Sequence, residues 1–137
     1  MFVIMPRLPS STPTEVELHI LRVLWERGPQ TVREIHDALS ALRSTGYSTT
    51  LKMIQVMTEK GLVLRDDAQR PQVYRPARPQ EQTQLQMLDY LIQQAFGGSA
   101  MKLVLRAAAA KRIAPAELAE IKKLIERAKP TNKGDRL

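Results

Sequence analysis

A chain of 137 residues, 43% hydrophobic and 26% charged, has room for one ordinary core, or for a small core with a helical appendage. It has no cysteine and two histidines, His19 and His36, which excludes disulfides, thiolate metal sites, cysteine nucleophiles and iron–sulfur clusters; a His-rich metal site would have to be intermolecular. Its net charge of +7 is shared between eleven basic and eight acidic residues up to Arg78 and ten and six beyond it, a balance that attracts polyanions, of which nucleic acid is the usual one.

The opening Met1-Phe2-Val3-Ile4-Met5 is too short for the apolar region of a signal peptide and lacks a basic start. No apolar run is long enough to cross a bilayer, so the expected location is the cytoplasm, with no membrane partner. The first helix is announced by Thr12-Pro13-Thr14-Glu15, with Thr12 as cap, Pro13 at the first helical position and Glu15 reaching back. It runs through Arg27 to Gly28-Pro29, with Glu15, His19, Arg22 and Glu26 forming one wet stripe on an otherwise apolar surface. Thr31-Val32-Arg33-Glu34 repeats the capping box and opens a second helix to about Leu42, whose apolar stripe is Val32, Ile35, Leu39 and Leu42. After a polar turn at Arg43-Ser44-Thr45-Gly46, a third helix extends from about Ser48 to Lys60 and is closed by Gly61.

Beyond Gly61 the apolar period changes from helical to extended. Leu62-Val63-Leu64-Arg65 and Gln72-Val73-Tyr74-Arg75 read as two strands around the turn at residues 66–70, with Pro71 at a strand start. Pro76 to Pro79 marks the domain boundary. A helix from about Gln80 to Phe96 follows, then one from Ser99 to about Lys111, and a last one from Pro115 to about Ala128. The expected fold is mainly α with a small β-hairpin. A winged helix-turn-helix domain over residues 1–78 precedes a C-terminal helical dimerisation region over 79–129, and residues 130–137 form a disordered tail.

Function follows from what each element leaves outside. On a helical wheel Leu51, Ile54, Met57 and Thr58 share the core side of the third helix, and Ser48, Thr49, Lys52, Met53 and Val56 occupy the other. A helix entering the DNA major groove needs small hydroxyls near phosphates, with Lys52 and short apolar groups at base edges. Arg65, Arg70 and Arg75 on the hairpin, with the Tyr74 ring, suit a wing along the DNA backbone, Arg70 above all because Asp66 and Asp67 dilute the others. The apolar stripes of the last three helices make a poor core of their own. Leu85, Leu88, Leu91, Ile92, Leu103, Leu118, Ile121 and Ile125 are therefore expected between two copies, and a two-fold dimer gives a DNA reader two half-sites. No catalytic set, cofactor site or metal site is expected: His36 and Asp37 are adjacent on a helix and point apart, and neither a glycine-rich phosphate loop nor HExxH occurs.

The chain resembles the penicillinase-repressor (BlaI/MecI) family over residues 12 to 128. The resemblance is carried by Thr14-Glu15, Val23-Leu24-Trp25, Tyr47-Ser48-Thr49-Thr50-Leu51-Lys52, Glu59-Lys60-Gly61-Leu62-Val63 and Val73-Tyr74-Arg75-Pro76, and more loosely by Lys102-Leu103-Val104-Leu105. It implies a homodimeric repressor bound to an inverted-repeat operator, with Ser48, Thr49 and Lys52 at the groove and Thr50 packing or touching backbone. Resistance members of the family are cleaved between Asn and Phe in the fifth helix; Arg106-Ala107 stands there in this chain, which puts induction by that cleavage in doubt. The cysteine-rich tail of copper-responsive relatives is absent, which excludes a copper signal by that device. The alternative reading of the same elements is a winged-helix module that binds another protein through its hairpin and third helix.

Overall fold

A computed structural model describes residues 12–135, with side chains to residue 128; Met1–Met5 and the last two residues of the tail lie outside the described residues. The first helix, α1 (Glu15–Arg27), is capped by Thr14 rather than Thr12. Thr14 Oγ1 accepts from Glu17 N, while Thr14 N donates to Glu17 Oε1 at 2.9 Å. The Thr-x-x-Glu motif occurs in two overlapping registers, and the second is used because it lets the Glu17 carboxylate meet a cation. Lys60 Nζ lies 2.9 Å from both Glu17 oxygens. A buried carboxylate compensated in this way avoids most of the cost of leaving water.

A two-residue strand, β1 (Gln30–Thr31), leads into α2 (Val32–Ser40), where Thr31 and Glu34 form the expected capping box. β1 is too short to show an alternating pattern in sequence. The helix stops at Ser40, so Leu42 leaves the stripe expected of it and is 65% exposed. Next comes α3 (Tyr47–Glu59), with Gly46 at its N-cap. Its exit is fixed by Gly61 at φ +80°, a left-handed turn in which Leu62 N donates back to Met57 O. That turn aims the chain into β2 (Val63–Asp66), which returns as β3 (Val73–Pro76). The sheet is antiparallel in the order β1-β3-β2, with Tyr74 opposite both Gln30 and Arg65. Ile20, Leu21 and Leu24 of α1 meet Ile35, Leu39, Ile54, Met57, Leu62, Val63 and Tyr74 in one core. The fold is a mainly α winged helix.

The segment from Pro76 to Pro79 is tied down rather than free. Ala77 N donates to Leu62 O, and the Trp25 indole donates to Arg78 O at 3.1 Å. Thr83 in the first turn of α4 (Gln80–Ala95) is buried. The first compact unit consequently continues to Leu88, inside α4, ten residues past the boundary drawn from the prolines. The second unit begins at Asp89 and holds the rest of α4, α5 (Ala100–Ala109) and α6 (Pro115–Asp135). Gly97 and Gly98, both at positive φ, end α4, and Ser99 caps α5 through Lys102 N. The backbone of α6 is helical to Asp135, beyond the end expected near Ala128 and through most of the tail expected to be disordered. No described helix is long and apolar enough to cross a membrane.

Among the described residues, every buried apolar side chain apart from Pro13 lies between Ile20 and Tyr74. At about 1.5–3 kcal/mol for each fully buried Leu, Ile or Met, that set supplies the driving force for folding the first unit. Glu17 adds a polar tie between the start of α1 and the end of α3. Replacing Glu17 by Ala removes half of a capping box and leaves Lys60 unpaired, for an expected loss of about 2 kcal/mol. Urea unfolding followed by the fluorescence of Trp25, the single tryptophan, measures it. A change below about 0.5 kcal/mol would show that the pair contributes no more than an exposed one.

Candidate nucleic-acid interface

At 100° per residue, the side of α3 that enters the core decides the side that faces out. Thr50, Ile54 and Met57 are buried, and Met53 is partly buried against the same core. The outward face therefore carries Ser48, Thr49, Lys52, Gln55 and Val56, all exposed. The expectation for Thr50 resolves in favour of packing. Its side chain has no exposure, and its Oγ1 lies 3.1 Å from His36 Nδ1, so it cannot reach a ligand outside the chain. Met53 is likewise displaced from the outward set because it leans on the core. Gln55 joins the outward face because Leu51, expected in the core, is only half-buried. Centring the wheel on Thr50 and Ile54 would have found it.

His36 does more than fill space. Its Nε2 lies 3.4 Å from Ser40 Oγ, and its ring meets Tyr47 edge-to-face with centroids 5.5 Å apart. The Arg33 guanidinium lies over the other aromatic partner in this set, 4.6 Å from the Tyr47 ring centre. A chain of contacts thus runs from the surface of α2 to the buried side of α3 and fixes where α3 begins. His19, expected on the wet face of α1, is half-buried, and its Nδ1 is buried without a hydrogen-bond partner among the described residues.

The hairpin sorts its charges. Arg65 Nε is 2.7 Å from Asp67 Oδ1, and that hydrogen bond, followed by the Coulomb attraction, raises the Arg65 pKa above its ordinary value. Asp66 Oδ1 accepts from Ala68 N and shapes the turn. Both acids are therefore engaged at the near side of the hairpin, and Arg70 is exposed with no ion pair among the described residues. Arg75 is also exposed but pairs in register with Leu64, whereas Arg65 pairs with Tyr74. Alternation along a strand puts the two arginines on opposite faces of the hairpin. Tyr74 offers no ring to a ligand: it sits in the core, 4% exposed, on the central strand of the sheet.

The model of the penicillinase repressor family matches residues 13–127. The chain belongs to that family. Its curated relatives include proteins named transcriptional regulator BlaI from two strains of Mycobacterium tuberculosis, each 36% identical over 87 residues. That match takes in 62% of this chain and 63% of each relative, slightly less than two thirds of their length. In this family member none of the residues expected at a dimer interface is buried among the described residues. Leu85, Leu88, Leu91, Leu118 and Ile125 are exposed, and Ile92, Leu103 and Ile121 are half-buried. Leu124, which belongs to the apolar stripe expected of the last helix, is exposed as well, and so are Met101 and Leu105 outside the expected stripes.

The buried placement of Thr50 has a direct consequence. Thr50→Val preserves shape but removes the partner of His36 Nδ1, so the expected loss is about 1 kcal/mol of stability. The variant should keep the outward face of α3 and lose at most a few-fold in DNA affinity once folded, through the loosened His36–Tyr47 contact. Thermal unfolding and duplex binding measured together decide it: unchanged stability with weakened binding would put Thr50 at the ligand.

Proposed function

We propose that this chain is a transcriptional repressor that binds an inverted-repeat DNA operator as a homodimer, in the cytoplasm. The observation that carries the reading is the outward face of α3, where Lys52 stands between Ser48, Thr49, Gln55 and Val56 with no carboxylate paired to it among the described residues. Lys52 and Gln55 supply hydrogen bonds to base edges, Val56 supplies contact with a thymine methyl, and the two hydroxyls approach phosphates. The wing lies along the backbone through Arg70 and, on one hairpin face, Arg75, while Arg65 is largely neutralised by Asp67. Family membership supports the regulatory role, and repression follows from the family's description.

The helices from Leu85 onward form the dimerisation region in this reading. A unit whose described residues bury no apolar side chain of its own is stabilised when a second copy covers it. Two-fold pairing then presents two α3 helices to two half-sites, one helical turn or a multiple apart. Placing a charge in the stripe with Leu118→Glu should shift sedimentation from dimer to monomer and weaken operator binding by at least tenfold.

Two substitutions separate base reading from backbone attraction. Lys52→Ala is expected to cost about 1–3 kcal/mol on a selected operator and much less on a mixed-sequence duplex. Arg70→Ala is expected to weaken both alike and to lower the slope of log affinity against log salt by about one. Fluorescence anisotropy across a salt series reads both. Equal losses for Lys52→Ala on the two duplexes would take Lys52 off the bases, and an unchanged slope for Arg70→Ala would take Arg70 off the phosphates.

A further inference from the structure

We infer that Arg33, held over the Tyr47 ring, is a DNA-backbone contact, and that the cleft beside it is the seat of one phosphate. This rests on the DNA-binding reading and adds to it a site outside the α3 face and the wing tip. The cleft has a volume of about 270 Å³ and lies where the start of α2, the start of α3 and the returning strand of the hairpin converge. Thr31, Arg33, Tyr47, Leu51, Pro71 and Gln72 are among the residues that line it, and no carboxylate does. Arg70, the exposed arginine of the wing, directly precedes the lining residue Pro71 in the chain.

Three features make Arg33 a built cation rather than a solvated surface arginine. Its charge is not used inside the chain: Lys60 faces Glu17, Arg65 faces Asp67 and Lys123 faces Glu120, but Arg33 has no carboxylate partner among the described residues. Its guanidinium is supported on one face by Tyr47 at 4.6 Å. Stacking uses the face of the guanidinium and leaves the N–H donors along its edge free, and that planar fork fits two phosphate oxygens. Tyr47 is itself held edge-to-face by His36, which is tied to the fully buried Thr50. Part of the side-chain entropy that a free arginine would lose on binding is thereby lost beforehand.

Position favours a nucleic-acid phosphate over a protein carboxylate as the occupant. Tyr47 is the first residue of α3, next to Ser48 and Thr49 at the start of the outward face, so a strand whose bases meet Lys52 passes its backbone by Arg33. A strand in that position threads between α3 and the wing, the two elements already assigned to DNA.

The test uses the full chain, a short fluorescein-labelled mixed-sequence duplex and a salt series, with thermal unfolding of each variant beside it. Arg33→Ala should lower affinity several-fold and reduce the salt slope by about one unit. Arg33→Lys should keep the slope and recover part of the affinity, because the charge remains without the planar fork. Tyr47→Phe should match the parent, and Tyr47→Leu should lose affinity at a retained slope, because the charge stays but its support goes. Parental affinity and slope for Arg33→Ala, in a parent that binds with steep salt dependence, would overturn the phosphate seat and leave the DNA reading standing. Parental affinity for Tyr47→Leu would overturn the stacking. A parent with no salt-dependent binding to the duplex would overturn the DNA reading itself.

Discussion

The burial of Thr50, Ile54 and Met57 against α1 and α2 constrains everything outward of it, because a helix fixed on one side has no freedom in what it shows on the other. Thr50 adds a directional tie to this packing through His36, and His36 in turn orients Tyr47. At the far end of α3 the Lys60–Glu17 pair joins the helix to the start of α1. The helix is therefore held at its beginning by a hydrogen bond and ring contacts, along its length by apolar packing, and at its end by a buried carboxylate. On the proposed reading, in which α3 presents five side chains to a rigid groove, it has to be held this firmly, since small shifts would move all of them together.

Few cations among the described residues are paired with carboxylates, and those left unpaired include four on α3, the wing and the start of α2. Lys60 and Arg65 have carboxylates at 2.9 and 2.7 Å. Lys52, Arg70, Arg75 and Arg33 have none among the described residues, and all four belong to α3, the wing or the start of α2. Net charge alone favours any polyanion. Its distribution on one fold, with the acids of the hairpin tied up in the turn and in Arg65, favours a surface along which a phosphate backbone can run.

Much of this was legible in the sequence. The capping box at Thr31, the helical period of α3 and the change of period after Gly61 fixed the element order, because each reports local physics that the tertiary fold reinforces. What was illegible depended on distant partners. The choice between Thr12 and Thr14 as cap turned on Lys60, forty-three residues from Glu17. Strand β1 forms only because β3 offers it a ladder, and Tyr74 is in the core only because β3 is the central strand. The core side of α3 is turned from the one its apolar residues imply, because Thr50, a polar residue, takes a core place with His36 as its partner. The proline-rich segment read as a linker, yet the Trp25 indole binds its backbone and α4 continues the first unit to Leu88.

The second unit has the opposite character: good helices, a cap at Ser99, and no buried apolar side chain among its described residues. On the proposed reading such a unit is completed by another copy, and the account as a whole is that of two winged helices presented in two-fold symmetry. Selection of the purified chain against a random duplex library, repeated at two salt concentrations, tests that account most directly. It predicts recovery of an inverted repeat, with binding that falls steeply as salt rises. Failure to enrich any sequence, from protein that is folded and dimeric, would contradict it and favour a winged-helix module that binds another protein.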